Sequence, residues 1–347
     1  MPDGLRYLCV ARASTKSGGS HLAPARHFAL GFGCEISYAA DVVYADGIDA
    51  KSSAIAQIGV SCRICERPNC PQRAAPPIDR PLMINLLDVA KEYVDSGRVG
   101  SIRLSTRPDY IDREILDILK NYPVGTVELG IQSMDDRVLA ASRRGHTALQ
   151  TETACRLIVG YGFRLVGQMM IGLPGADEES EVMTAQEICR LGASAARVYP
   201  TVVFRGTELA AMTEAGEYTP LDIETAISRT VRVLEVFAAH NVPVIRVGLC
   251  ASEHLTSAEE VLGGANHEAL GELAEGELYY KIICRELDVA PPRGGRFIIF
   301  VPEGEFSKAI GHKKRNRERL MSRYALCGIT FREAPRLRPY QIRIDTL

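Results

Sequence analysis

Cys62, Cys65 and Cys70 lie in one short stretch, Val60-Ser-Cys-Arg-Ile-Cys-Glu-Arg-Pro-Asn-Cys-Pro-Gln-Arg73. Thiolates this close together can converge on one soft metal centre, since zinc and Fe–S clusters are both held by thiolate sulfur. Three readings stand side by side. Zinc would need a fourth ligand, with Cys34 or a histidine as candidates. A [4Fe-4S] cluster can keep one iron open on three cysteines. The third reading is three reduced thiols with no metal. The chain has 10 cysteines. The other seven read as small buried apolar residues.

A second set of candidates comes from polar residues inside apolar runs. Glu128 lies inside one such run, Gln132 and Ser133 follow directly at its end, and Gln168 interrupts another. Burying polar groups is costly unless they are paired or used. The bland alternative is that Glu128 and Gln168 bond each other or neighbouring backbone. Gly172-Leu-Pro-Gly175 closes the second run in a turn. Arg197, Tyr199 and Thr201 sit in a third.

The elements that position these residues alternate. Apolar residues at helical spacing predict a helix over 83–96, followed by a strand at 102–107 and a helix at 111–121. A strand at 126–131 precedes helices near 135–142 and 148–161. Then come strand 164–173, helix 178–191, strand 196–203, helix 221–240 and strand 242–249. This alternation implies right-handed βαβ units on a parallel sheet. In that arrangement function gathers at the C-terminal ends of the strands, where the polar residues above fall. Before this region, 5–12 and 28–34 read as strands, and the prolines ending at Pro81 mark a boundary. After it, 295–302 reads as a strand and 306–325 as a basic helix pair, with further strands in ITFRE and YQIRI.

Composition narrows the class. The 347 residues are 46% hydrophobic and 24% charged, as in globular proteins with room for two or three domains. A net charge of −2 argues against a general nucleic-acid binder. No apolar run is long enough to span a bilayer, and MPDGLRYLCVARAS lacks the pattern of a signal peptide. The expected compartment is the cytoplasm, with no membrane partner.

IRLSTRPDYID (102–112), VELGIQSMDDRVLAASRRGHT (127–147), QMMIGLPG (168–175) and RVYPTVVFRGTEL (197–209) resemble the radical S-adenosylmethionine (SAM) superfamily. The similarity runs over about 83–290, on the branch of elongator catalytic subunits. It implies an α/β fold with a partial parallel β/α barrel binding SAM and a [4Fe-4S] cluster. By the resemblance, Glu128 and Gln132 face the ribose and methionine parts of SAM, beside Ser133. Arg143 or Arg144 pairs with its carboxylate, because a guanidinium fork matches a carboxylate. Gln168 takes a position that is often acidic in related enzymes, and the Gly172–Gly175 turn lets backbone approach the adenine. The superfamily holds its cluster with a C-x3-C-x2-C loop, which this sequence lacks. Cys62-x2-Cys65-x4-Cys70 is the substitute on offer, so SAM chemistry is expected to be impaired or lost.

RYLCVARAS (6–14), HFALGFGCEISYAADVVYADGID (27–49) and IGVSCRICERPNCPQRAAPPIDRPL (58–82) resemble something else, the C-terminal region of short-chain fatty-acyl-CoA-responsive transcriptional regulators. That resemblance implies a small-molecule-sensing α+β module with candidate Fe–S cysteines. GEFSKAIGHKKRNRERL (304–320) resembles a KH-type RNA-binding element, although its I-G-x-x-G loop reads Ile310-Gly311-His312-Lys313-Lys314. The expected organisation is therefore a regulator-like module at 1–82, the partial barrel at 83–290, and a small basic α+β domain at 291–347 open to RNA contact. Three functions follow: a radical SAM-like protein binding iron–sulfur and SAM, an acyl-CoA-sensing module, or a fusion of two families without activity.

Overall fold

The computed structural model describes residues 7–16, 26–35, 80–249, 260–289 and 294–346, with side chains from residue 83 onward. The Cys62, Cys65, Cys70 trio lies outside the described residues. The chain divides into two units, Met1–Glu92 and Tyr93–Leu347.

In the first unit, β1 (Tyr7–Lys16) and β2 (Arg26–Glu35) form an antiparallel ribbon. Its register runs from Tyr7 opposite Glu35 to Lys16 opposite Arg26. β1 starts two residues after the expected run 5–12 and ends four after it, and β2 extends 28–34 by two residues at its start and one at its end. Helix α1 (Arg80–Asp95) follows and crosses the unit boundary.

The second unit is built on a five-stranded parallel sheet, as expected. Its strands are β3 (Ile102–Thr106), β4 (Val124–Gln132), β5 (Arg164–Ile171), β6 (Ala195–Pro200) and β8 (Val244–Val247), in that spatial order. The connecting helices are α2 (Arg113–Lys120), α3 (Asp136–Ala141), α4 (Ala148–Gly160), α5 (Glu178–Arg190) and α7 (Ile223–Ala239). Each starts on a side-chain cap: Asp112, Asp135, Thr147, Asp177 and Asp222 accept from first-turn amides. Successive strand residues alternate faces. Val127, Leu129, Ile131, Met169, Ile171 and Val198 are all at most 1% exposed. Each such side chain contributes about 1.5–3 kcal/mol by leaving water. A one-residue slip would exchange this face for the polar one, so the register is firmly set.

The expected strand 196–203 is two strands. β6 stops at Pro200, and β7 (Val202–Phe204) turns away to pair antiparallel with β9 (Val261–Gly264). Between them Thr201 donates its hydroxyl to Ile171 O at 2.8 Å. A short helix, α6 (Glu208–Glu214), follows β7.

The long helix α8 (Leu270–Val289) serves two cores. Its Ala274 and Leu278 pack with Val231 and Leu234 of α7. Its Tyr279, Ile283, Cys284 and Leu287 pack with Phe297, Ile299 and Val301 of β10 (Arg296–Val301). β10 is central in a small sheet, parallel to β11 (Gly328–Glu333) and antiparallel to β12 (Arg343–Thr346). The expected basic helix pair joins them as α9 (Phe306–Ile310) and α10 (Arg315–Arg323). Between these helices Gly311 has φ of 78°, and Lys313 and Lys314 are also left-handed, at 52° and 65°.

Candidate active site on the open face of the parallel sheet

The face of the sheet opposite the apolar one carries charge. Register aligns Gly130 with Gln168, Gln168 with Arg197, and Arg197 with Arg246. In the neighbouring row Ser105 pairs with Glu128. Glu128 is 6% exposed and is gripped from both sides. Arg103 donates to its Oε2 from Nε at 3.2 Å and from Nη2 at 2.9 Å. Arg197 Nε lies 3.0 Å from Oε1. Arg197 Nη1 also donates to the Tyr199 hydroxyl at 3.0 Å. Glu128 therefore does not bond Gln168. Its charge is met by two guanidinium groups, which also anchor it in one orientation. Gln168 is half-buried and makes no side-chain hydrogen bond among the described residues. Arg246 donates from Nε to Gly248 O at 3.2 Å.

At the C-terminal end of β4 the ladder is irregular, with a register shift between Gly130 and Gln132. Gln132 is left-handed at φ 67° and 5% exposed. Its side-chain carbonyl has no partner, which is costly for a buried acceptor. A Cβ at Gly130 would stand 2.9 Å from Gln132 Nε2, so a side chain there would displace the Gln132 amide. Ser133, also buried, accepts from Asp135 N at 3.1 Å through Oγ. Glu128 thus lies midway along β4, while Gln132 ends the strand and Ser133 follows it, at the edge of a parallel sheet where a ligand would be met.

The two candidate arginines differ. Arg143 is exposed and ion-paired with Glu208 of α6. Arg144 is half-buried, and its Nε is buried without a partner. Burial, then the nearby Arg107 guanidinium, lowers the Arg144 pKa. Arg107 itself is held by Asp109 and donates to Arg144 O at 2.8 Å. Beside them His146 is 4% exposed, with Nε2 3.2 Å from Ile131 O and Nδ1 unpartnered. Burial is the main cause that lowers its pKa, so it is neutral at pH 7. Sequence reasoning missed His146, Arg103 and Arg246. Charged residues interrupting strands 102–107 and 242–249 were the available sign of the two arginines.

The Gly172–Gly175 turn is a structural node. Gly172, at φ 77°, donates its N–H to Glu181 Oε1 at 2.7 Å, and its carbonyl accepts from the Tyr218 hydroxyl at 2.6 Å. Glu181, 3% exposed, is held bidentately by Arg229 at 2.6 and 2.8 Å. Burial is the leading cause that raises the Glu181 pKa, against the pull of Arg229. Both polar backbone atoms of Gly172 are thus engaged by protein, whereas exposed Gly175, at φ 75°, sits at the open end of the turn.

The described residues suit an organic ligand better than a metal. Buried unpartnered acceptors and donors on Gln132, Arg144 and His146 cluster near one strand end. Among the described residues, no group of three His, Cys, Asp or Glu side chains could hold a metal ion.

Comparison with known proteins agrees with this architecture. Residues 75–188 match the radical SAM superfamily and 193–280 the radical SAM C-terminal domain. Residues 1–92 match the short-chain fatty acyl coenzyme A regulator, C-terminal family. The propionyl-CoA carboxylase regulator of Cereibacter sphaeroides is 51% identical over 84 residues, 24% of this chain and 18% of that protein. The tRNA uridine(34) acetyltransferase of Methanocaldococcus jannaschii is 32% identical over 133 residues, 38% of this chain and 25% of that protein. The solved Methanocaldococcus infernus Elp3 with an N-terminal deletion aligns at 26% identity and a TM-score of 0.45, covering 54% of this chain and 42% of that one. The chain spans a quarter or less of the two curated relatives. It joins the C-terminal region of a short-chain fatty acyl coenzyme A regulator to the domains of the radical SAM superfamily.

Proposed function

We propose that the open face of the parallel sheet binds S-adenosylmethionine, and that its reductive cleavage is impaired. The unpartnered carbonyl of buried Gln132, on the same strand as anchored Glu128, is the observation that carries this reading. Glu128 and Gln132 face the ribose and methionine parts of the ligand. Ser133 fixes the turn behind them, and Gln168 offers its amide from the next strand. Arg144 is better placed than Arg143 to pair with the ligand carboxylate, because Arg143 is already committed to Glu208. A bound [4Fe-4S] cluster would supply the electron that cleaves SAM. The expected C-x3-C-x2-C loop is missing from the sequence, and Cys62, Cys65 and Cys70 are its replacement. The residues described here bind and orient; none of them delivers an electron.

The test is equilibrium binding of SAM to the full chain, followed by anaerobic reconstitution with iron and sulfide and an assay for 5′-deoxyadenosine under dithionite. SAM binding with no more than background deoxyadenosine is expected. Absence of SAM binding overturns the proposal, and stoichiometric deoxyadenosine overturns the claim of impairment.

A second reading rests on residues 1–92, which match the regulator family and share 51% identity over 84 residues with a propionyl-CoA carboxylase regulator. In it this module binds a short-chain acyl-CoA. Propionyl-CoA titration of the same protein tests it, with no saturable binding as the refuting result. The basic turn His312-Lys313-Lys314 is the surface for the RNA contact suggested by the tRNA-modifying relative. If none of these ligands binds, the chain is an inert fusion.

A further inference from the structure

A cavity of about 570 Å³ lies at the opposite end of the sheet from the candidate active site. Val242, Pro243 and Val244, at the start of β8, and Ala238 of α7 form one apolar wall. Pro339 and Tyr340 form another. The volume is within the range of small-molecule sites, and apolar walls with a few convergent polar groups are their usual composition.

The polar groups come from α8 and α9. Lys308 Nζ donates to Glu275 Oε1 at 2.9 Å and to Glu305 Oε1 at 3.5 Å. Glu305 is further satisfied through Oε2, which accepts from the Tyr279 hydroxyl and from Tyr340 N. Glu275 differs. Its Oε1 takes Lys308 and also the Tyr340 hydroxyl at 3.3 Å, while Oε2 has no partner among the described residues. Two carboxylates and one ammonium meet at this end of the cavity, and Arg338 brings the formal charge of the whole lining to zero. Arg338, the other cation of the lining, is exposed and donates instead to Asn241 Oδ1 at 3.4 Å. An ion in a partly enclosed site is screened less than one at the surface, so the free Glu275 oxygen weighs more on a ligand there than exposed Arg338 does.

We propose that this cavity binds an organic monocation, a primary ammonium on an apolar or aromatic body. The ammonium donates to Glu275 Oε2, and the body lies between the Val242–Val244 wall and the Tyr340 ring. This site is independent of SAM binding on the open face.

The test uses 2-phenylethylammonium as the probe and phenylacetate as its charge-reversed counterpart, titrated calorimetrically into the full chain. Saturable binding of the ammonium and none of the carboxylate is expected. Glu275→Gln should weaken the ammonium about tenfold or more, the usual worth of a hydrogen bond to a charged group. Lys308→Gln should strengthen it, because it leaves two carboxylates facing the cavity. A merely structural role for these residues would weaken binding in both variants. Circular dichroism establishes that each variant is folded, and the paired ligands on the wild-type chain decide the matter if one is not. No saturable binding of the ammonium, equal binding of phenylacetate, or unchanged affinity in Glu275→Gln would overturn the proposal.

Discussion

Replacing Arg229 with methionine isolates the buried ion pair under the Gly172 turn. The Arg229 and Glu181 side chains are 12% and 3% exposed, and two hydrogen bonds of 2.6 and 2.8 Å join them. Arg229→Met keeps most of the side-chain bulk but leaves the Glu181 carboxylate buried with only the Gly172 N–H as a partner. Breaking a buried pair from one side costs about 3–5 kcal/mol. For a unit of this size that corresponds to a fall in Tm of about 6–20 °C. The pH dependence has a definite sign. Burial already raises the folded-state Glu181 pKa above its ordinary value, and loss of Arg229 removes the main opposing influence. A carboxyl raised in the folded state costs stability as pH rises from its unfolded value through its folded one, since the unfolded chain releases the proton first. The deficit is therefore full at pH 8 and smaller at pH 5. Glu181→Gln/Arg229→Met should recover much of it at pH 8. The chain has no tryptophan, so thermal melts are followed by circular dichroism at both pH values. A deficit under 1 kcal/mol at pH 8, or one equal at both pH values, would refute the reasoning.

Three further outcomes are expected. Glu128→Gln leaves Arg103 and Arg197 without their carboxylate; SAM affinity should drop at least tenfold in a binding titration, with a stability loss of about 1–2 kcal/mol because Arg103 is partly solvated. Gly172→Ala puts a Cβ 2.8 Å from Leu221 Cδ1 at φ 77° and should cost about 1–3 kcal/mol in the same melts, with an unchanged Tm counting against the turn's role. Burial pushes the Cys155 thiol up to about 12, so peptide mapping after iodoacetamide at pH 8 should find Cys155 unlabelled in the folded chain and exposed Cys327 labelled; early labelling of Cys155 would contradict its placement.

The barrel was largely legible because its strands and helices are written in different periods. Expected strands at 102–107, 126–131 and 164–173 fall within two residues of β3, β4 and β5. Helix α8 was not legible. Its apolar residues do not form one stripe, because opposite sides serve the α7 contact and the β10 sheet. The departure of β7 from β6 was hidden because 196–203 is apolar throughout, and only its pairing with β9 at 261–264 separates the two. At the candidate site, the sequence offered Glu128 and Gln132 as polar residues in an apolar context. It could not offer their neighbours. Arg103, Glu128 and Arg197 meet because parallel register brings together positions far apart in the chain. The engagement of Gly172 by Glu181 and Tyr218 was equally a tertiary fact.

The position of α8 bears on how this chain can be dissected. Cutting after Val289 would uncover Tyr279, Ile283 and Leu287 and strand an oily stripe in water. Removing the helix with the tail would instead bare Val231 and Leu234. Neither cut yields a clean fragment, so segments Ile223–Ala239 and Arg296–Thr346 should melt together, at one temperature, despite their separate sheets.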